Sequence, residues 1–276
     1  MLENGFSAHK ARNSHADVAE QLGRAITHGD FPVGQNLPGD AELLARFQVS
    51  RTVLREAMKT LSAKGLITSR ARVGTRVCER NRWNLFDADV LAWHLETELD
   101  SAFFANISEV RLAFEPFAAA LAAERASADD ISRLKDLAKE MGRQDHTPET
   151  LAVADLNFHL ALAETSKNPF LRSVGSIIEA ALLAAFRLSS SDKVAERTEV
   201  ISENHLRIVE AIEQRDPQAA HAAMKKVISI GVERVTPGAD RSAFAHWLNP
   251  LDMTATVERQ ASSKLDGGRR GGLRKT

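Results

Sequence analysis

Between Ala41 and Leu66 the chain reads AELLARFQVSRTVLREAMKTLSAKGL, a spacing that few folds accommodate. Leu43, Leu44 and Phe47 recur at the period of one helical face. After a tight turn over Phe47–Ser50, the residues Val53, Leu54, Ala57, Met58 and Leu61 do so again, in a longer helix that begins at Arg51. Ser50 is suited to cap this second helix, because its hydroxyl can accept a free backbone N–H of the first turn. That turn carries Arg51, Thr52 and Arg55. Two helices joined this closely make a helix-turn-helix, which places the start of its second helix in a DNA major groove.

The flanking sequence extends the pattern. Asp17–Thr27 is expected to be an amphipathic helix with Val18, Leu22 and Ile26 on one face, ended by His28-Gly29. In FPVGQNLPGD two prolines and two glycines leave room only for an extended turn. After Gly65, two β-prone segments, Leu66–Ser69 and Thr75–Cys78, flank a tip of Arg70, Arg72 and Gly74. A basic hairpin of this kind can reach phosphate or a minor groove, although any one arginine in it could be a plain surface charge. Charge is distributed to match. Residues 10–80 carry twelve basic and seven acidic side chains, whereas residues 81–100 carry one and five. A net charge of −1 therefore hides a basic head beside an acidic body.

The order of helix, FPxGxxLPxxxEL, FxVSRTxxREAxxxLxxxGLI and RxGTxV resembles the winged helix-turn-helix of the GntR family of bacterial transcription regulators over residues 15–79. Carried over by position, the resemblance implies DNA contacts at Ser50, Arg51, Thr52, Arg55, Arg72 and Gly74. Many relatives hold an arginine two residues before the leucine at Leu43. Here that position is Ala41, which removes one expected contact.

Residues 80–100 are expected to form a connector. Trp83, Leu85, Phe86, Leu91 and Trp93 are too apolar for a free linker and should pack between head and body. Asp87 and Asp89 suit the start of a helix, with a metal role as the alternative. From residue 101 to 235 the sequence predicts helices at 103–125, 129–143, 148–166, 169–188, 195–214 and 217–235, divided by Ser-Ala-Asp-Asp, Thr-Pro, Asn-Pro and Asp-Pro boundaries. Residues 1–14 and the basic tail 236–276 are expected to be disordered. The fold class is thus mainly α: a winged head and an antiparallel helical bundle. The single cysteine, Cys78, fits a reducing cytoplasm, and no apolar run reaches the ~18 residues of a membrane span.

Within the bundle, Asp155 and His159 lie four residues apart on one helix face, and His205, Arg111 and the serines 189–191 after Arg187 add polar groups. Each has a structural alternative: Arg111 could simply pair with Glu109 or Glu115, and a helical histidine is usually just hydrogen-bonded. EVRxxxEP, DxxFHxxLAxxSxNP and HxxIxxAIxxxDPxxA resemble the FCD effector domain of the FadR subfamily. That resemblance implies a divalent metal such as zinc on Asp155, His159 and His205. The usual fourth ligand, a histidine, is replaced by Val227, and His221 lies about 240° away around its helix. Water or the effector would then complete the shell.

RNRWNLFDADVLAWHLE resembles the same segment in regulators of galactonate and related sugar-acid catabolism. A sugar acid needs a cation for its carboxylate and polar groups for its hydroxyls. Arg111 is the candidate for the first role and Asn157, His159 and His205 for the second. The expected protein is a homodimeric repressor that holds two heads on palindromic double-stranded operator DNA and is released by a small carboxylate effector. The rivals are a metalloenzyme, an activator, and a regulator answering to another organic acid or a fatty acyl group.

Overall fold

The computed structural model describes residues 14–70, 74–97, 101–188 and 194–235. The expectations for residues 1–13 and 236–276, and for Arg72 and the serines 189–191, lie outside them.

The head begins with α1 (His15–Thr27). Its start lies two residues earlier than the apolar pattern indicates, because Ser14 and Asp17 form a reciprocal cap: each side chain accepts from the other's backbone N–H. Ser14 therefore belongs to the folded head and not to a disordered leader. Helices α2 (Asp40–Phe47) and α3 (Arg51–Ala63) follow, with Gln48 in the left-handed conformation at the turn and the Ser50 hydroxyl accepting from Val53 N. Leu22, Ile26, Leu43, Leu54, Ala57 and Leu61 meet in the core of the head, on the faces that their spacing assigns. Strands β1 (Ile67–Arg70) and β2 (Gly74–Val77) pair antiparallel from Ile67↔Val77 to Arg70↔Gly74. The FPVGQNLPGD segment does more than turn: Gly34 N donates to Val77 O, Val77 N to Gln35 O and Leu37 N to Thr75 O, so it lines the outer edge of β2.

A short 3-10 turn, Arg80–Arg82, leads to α4 (Ala88–Thr97). The Asp87 carboxylate accepts from Asp89 N and Val90 N, which makes it the cap of α4. Trp83 and Trp93 are buried in the core of the head and not between head and body, Leu91 is buried too, and Leu85 and Phe86 are 38% and 55% exposed instead of packed. Helix α4 packs both on α1 and on the body helix α9 (Gly175–Leu188). Trp93 lies so close to Gly23 of α1 that a Cβ there would come within 2.1 Å of its ring. Gly65, at φ +79°, is held as tightly: a Cβ would lie 2.1 Å from the Arg82 carbonyl oxygen. Gly65→Ala is expected to cost about 2 kcal/mol or more, since both the backbone conformation and the contact resist it. Urea unfolding with a wild-type midpoint would rule that out.

The body comprises α5 (Ser101–Arg125), α6 (Ala128–Glu140), α7 (Pro148–Thr165), α8 (Pro169–Arg172), α9 (Gly175–Leu188), α10 (Val194–Glu213) and α11 (Pro217–Val235). Ser127, Thr147, Asn168 and Asp216 cap α6, α7, α8 and α11 at the boundaries read from sequence. Two expectations fail. The 169–188 helix breaks at Ser173-Val174, where Gly175 passes so near α7 that a Cβ would touch Leu160 at 3.0 Å. The 129–143 helix stops at Glu140, because Gly142 turns the chain against Ser202 of α10. Helices α5 and α11 run along each other, α10 packs on α6 and α11, and α7 packs on α5, α6 and α9 around Phe158, Leu162, Ile208, Ile212 and Met224. No helix of the described residues is long and apolar enough to cross a membrane.

Candidate functional site

Two surfaces carry the chemistry. On the head, Ser50, Arg51, Thr52 and Arg55 are all exposed at the start of α3. Arg55 is 72% exposed, with its Nε 3.8 Å from Glu56 Oε1, and Lys59 Nζ holds the same carboxylate at 3.0 Å. Gly74, at φ +101°, opens β2 and is exposed.

In the body a cavity of about 110 Å³ opens between α5, α7, α9, α10 and α11. Its wall includes Arg111, Asp155, His159, Arg197, His205 and Arg234. Asp155 Oδ1 lies 3.2 Å from His159 Nε2 and 3.1 Å from His205 Nε2, and the two nitrogens are 3.5 Å apart. Neither contact to that buried oxygen has hydrogen-bond geometry. Ligand atoms bound tetrahedrally at zinc distances stand roughly 3.3 Å from one another. The three atoms therefore converge as donors to one ion do, and the triad fits a divalent metal.

The supporting contacts agree with that fit. His205 Nδ1 donates to Ile201 O at 2.8 Å, and His159 Nδ1 meets the Glu115 carboxylate, so both Nε2 atoms are turned to the cavity. Burial would raise the Glu115 pKa, but Arg111 and His159 outweigh it and bring it to about 2. Burial would likewise lower His159, but Glu115 and Asp155 raise it to about 9. Asp155, against burial, is held well below the usual carboxylate range by both imidazoles.

Arg111 is not a free cation. It is 6% exposed, its Nε lies 2.5 Å from Glu115 Oε1, and its Nη2 is 3.4 Å from His159 Nε2. Asn157 does not join the cavity: two residues past Asp155 it has turned about 200° around α7, and it is exposed. Val227 does line the cavity and brings no ligand atom, while His221 is exposed and stands away from it. Sequence reading missed Arg197, Asn204 and Arg234. Arg234 had a signal, since it follows Val227 by seven residues and thus two helical turns on one face. Neither Arg197 nor Arg234 has an ion-pair partner among the described residues. Burial lowers the Arg234 pKa, Asp155 counters this, and the like charge of Arg197 adds to it.

Residues 15–77 match the profile of the bacterial regulatory proteins of the gntR family, and residues 106–229 match the FCD domain. Over 214 residues the chain is 34% identical to the galactonate operon transcriptional repressor of Escherichia coli (strain K12), covering 78% of this chain and 93% of that protein. The chain is a GntR-family regulator with an FCD body. This GntR regulator is also 35% identical over 213 residues to the uncharacterized HTH-type transcriptional regulator YieP of the same organism, covering 76% and 90% of the two chains. The fold is shared with Lar, which controls expression of the Listeria monocytogenes agr system, at a TM-score of 0.53 and 21% identity over 84% of this chain and 98% of that one. The relatives are transcriptional regulators and not enzymes, which sets aside the metalloenzyme reading. A GntR head implies operator DNA, and an FCD body implies a small-molecule effector.

Proposed function

We propose that this GntR regulator is a homodimeric repressor of a sugar-acid catabolic operon, released when a galactonate-like aldonate enters the FCD cavity. The observation that carries this reading is the makeup of the cavity: a metal-type triad on α7 and α10 faces Arg197 and Arg234, neither of which makes an ion pair among the described residues. Glu115 offsets Arg111, so the carboxylate of the ligand belongs with Arg197 and Arg234. Its hydroxyls fall to Asn204 and, where no ion is bound, to Asp155, His159 and His205. When bound, a divalent ion held by Asp155, His159 and His205 would supply positive charge to a ligand oxygen. A cavity of about 110 Å³ favours a short polar chain over a long acyl tail. The relative named for galactonate supports the same class of effector.

On the DNA side, Ser50, Arg51, Thr52 and Arg55 read the major groove while Arg72 and Gly74 of the wing reach the backbone or minor groove. Arg55→Ala is expected to weaken binding to the promoter region of the regulator's own operon by about 10- to 30-fold, within the range of one lost base contact. Fluorescence anisotropy at fixed salt measures it, and unchanged affinity would remove Arg55 from the reading face.

The effector reading is tested by calorimetry with a panel of aldonates, with and without added Zn²⁺. Arg234→Ala is expected to weaken aldonate binding by about tenfold or more, the loss of one charge-assisted hydrogen bond. No heat with galactonate or any related aldonate would sink the effector class, and wild-type affinity in Arg234→Ala would move the carboxylate elsewhere.

A further inference from the structure

The C-terminal end of α3, opposite the turn that reads DNA, is tied down in an unusual way. Lys64, the residue that ends α3, has a side chain only 12% exposed. Its Nζ lies 2.6 Å from Asp87 Oδ1 and 2.8 Å from Asp89 Oδ2, and it sits 5.8 Å above the Trp93 ring. Its carbonyl accepts from Asn84 N at 3.0 Å, and the next residue, Gly65, is pressed against Arg82 O. One residue therefore meets the connector at its backbone, at the cap of α4 and at the indole that lies on α1.

Geometry rather than bulk stability is what such a contact can set. Asp87 is 25% exposed and Asp89 64%, so water competes for both carboxylates and the ion pair alone contributes little to folding. Its three partners nevertheless fix direction, because an ammonium shared between two carboxylates over an aromatic face has one favourable position. Among the described residues, Arg24 of α1 and His28 just after that helix also meet Glu96 of α4, but those contacts are open on both sides, at 38%, 39% and 30% exposure. Helix α4 continues the tie. It also packs on α9, the Ser176 hydroxyl of α9 donates to Phe86 O, and Leu182 and Ala185 farther along α9 line the effector cavity.

We propose that Lys64 is a positioning residue for DNA reading: its ammonium locks the end of the recognition helix onto the first turn of α4, so the head is presented at one angle and must follow α4 when α4 moves. The proposal rests on the head reading DNA, but it concerns the head's orientation and can be tested apart from any operator or effector.

The test uses the full chain with spin labels at two exposed positions, Glu42→Cys in α2 and Asp136→Cys in α6, with Cys78 left buried. Labelled protein is diluted into an excess of unlabelled chain so that pulsed dipolar spectroscopy reads the distance within one chain. Lys64→Met, which keeps the apolar stem, is expected to lose the single narrow distance while its thermal midpoint stays near that of wild type. Lys64→Arg is expected to restore the narrow distance, and Asp87→Asn with Asp89→Asn to broaden it as Lys64→Met does. A narrow, wild-type distance in Lys64→Met overturns the proposal, and so does broadening that appears only with a collapsed melting transition. Binding of the same variants to the promoter fragment is measured in parallel. If wild type fails to bind DNA, the functional reading falls while the distance still decides the role of Lys64.

Discussion

Glu115→Gln is expected to destabilise the body by about 3–5 kcal/mol, the cost of removing one partner from a buried ion pair. Glu115 is 3% exposed and stands between Arg111 and His159, both also buried. A glutamine fits the space but takes away the carboxylate hydrogen-bonded to the Arg111 guanidinium, leaving only the charge of Asp155 to offset it in the interior. The pH dependence has a definite sign. The Glu115 pKa is lowered from 4.5 to about 2, so its contribution is complete above about pH 4.5 and fades as the pH falls toward 2. The gap between wild type and Glu115→Gln should therefore be widest at neutral pH and narrow in acid. Urea unfolding across that range checks it, and a gap that stays constant or widens in acid would contradict the assignment. Because the Glu115 carboxylate lies against His159 Nδ1, on the far side of the ring from the triad, the variant should bind zinc about 10- to 100-fold more weakly.

Val227→His is expected to tighten zinc binding on the order of 100-fold, about 2.7 kcal/mol, as a fourth protein ligand replaces water. Val227 lines the same cavity as Asp155, His159 and His205, so a histidine there starts from the right wall. Competition against a chelating dye at neutral pH gives the number, with Val227→Leu as the volume control. A histidine that leaves the affinity at the wild-type value would mean that position 227 does not aim at the triad. In both proteins the affinity should rise with pH, since metal must displace the proton that the raised pKa of His159 keeps in place.

What could be read from sequence followed the range of the interactions concerned. The α3 helix, the caps at Ser127 and Thr147, and the Asp155–His159 pair are local, set by residues three or four apart, and they fall where the pattern puts them. The break at Ser173-Val174 was hidden, because nothing in FLRSVGSII is a strong helix stop. The cause lies in α7, where Leu160 leaves no room beside Gly175. The site divided along the same line. Asn157 was assigned by chemistry without regard to its angle on α7, and its angle takes it out. For Arg111 the sequence offers both a ligand cation and a pair with Glu109 or Glu115; the i,i+4 pair with Glu115 is the one that forms, and its burial is not legible in the sequence. Arg197 belongs to the cavity only because α10 passes α11, a tertiary fact.

The two arginines at the cavity have a consequence for how a ligand is told from its competitors. Arg234 keeps an exposed side although its guanidinium is partly enclosed by the cavity wall, and Arg197 is half-buried, whereas His159 and His205 are 1% and 2% exposed. Charge is thus met first and the triad second. If the ligand carboxylate rests on these arginines as proposed, the outer station is open to small anions in general, since guanidinium groups pair with carboxylates and phosphates alike. Selection falls to the inner station, which rewards only an anion carrying a second oxygen that reaches Asp155 and the imidazoles. The concentration at which such a regulator responds is then a ratio, cognate ligand against the background pool, and it will shift with buffer and growth medium even when the protein itself is unchanged.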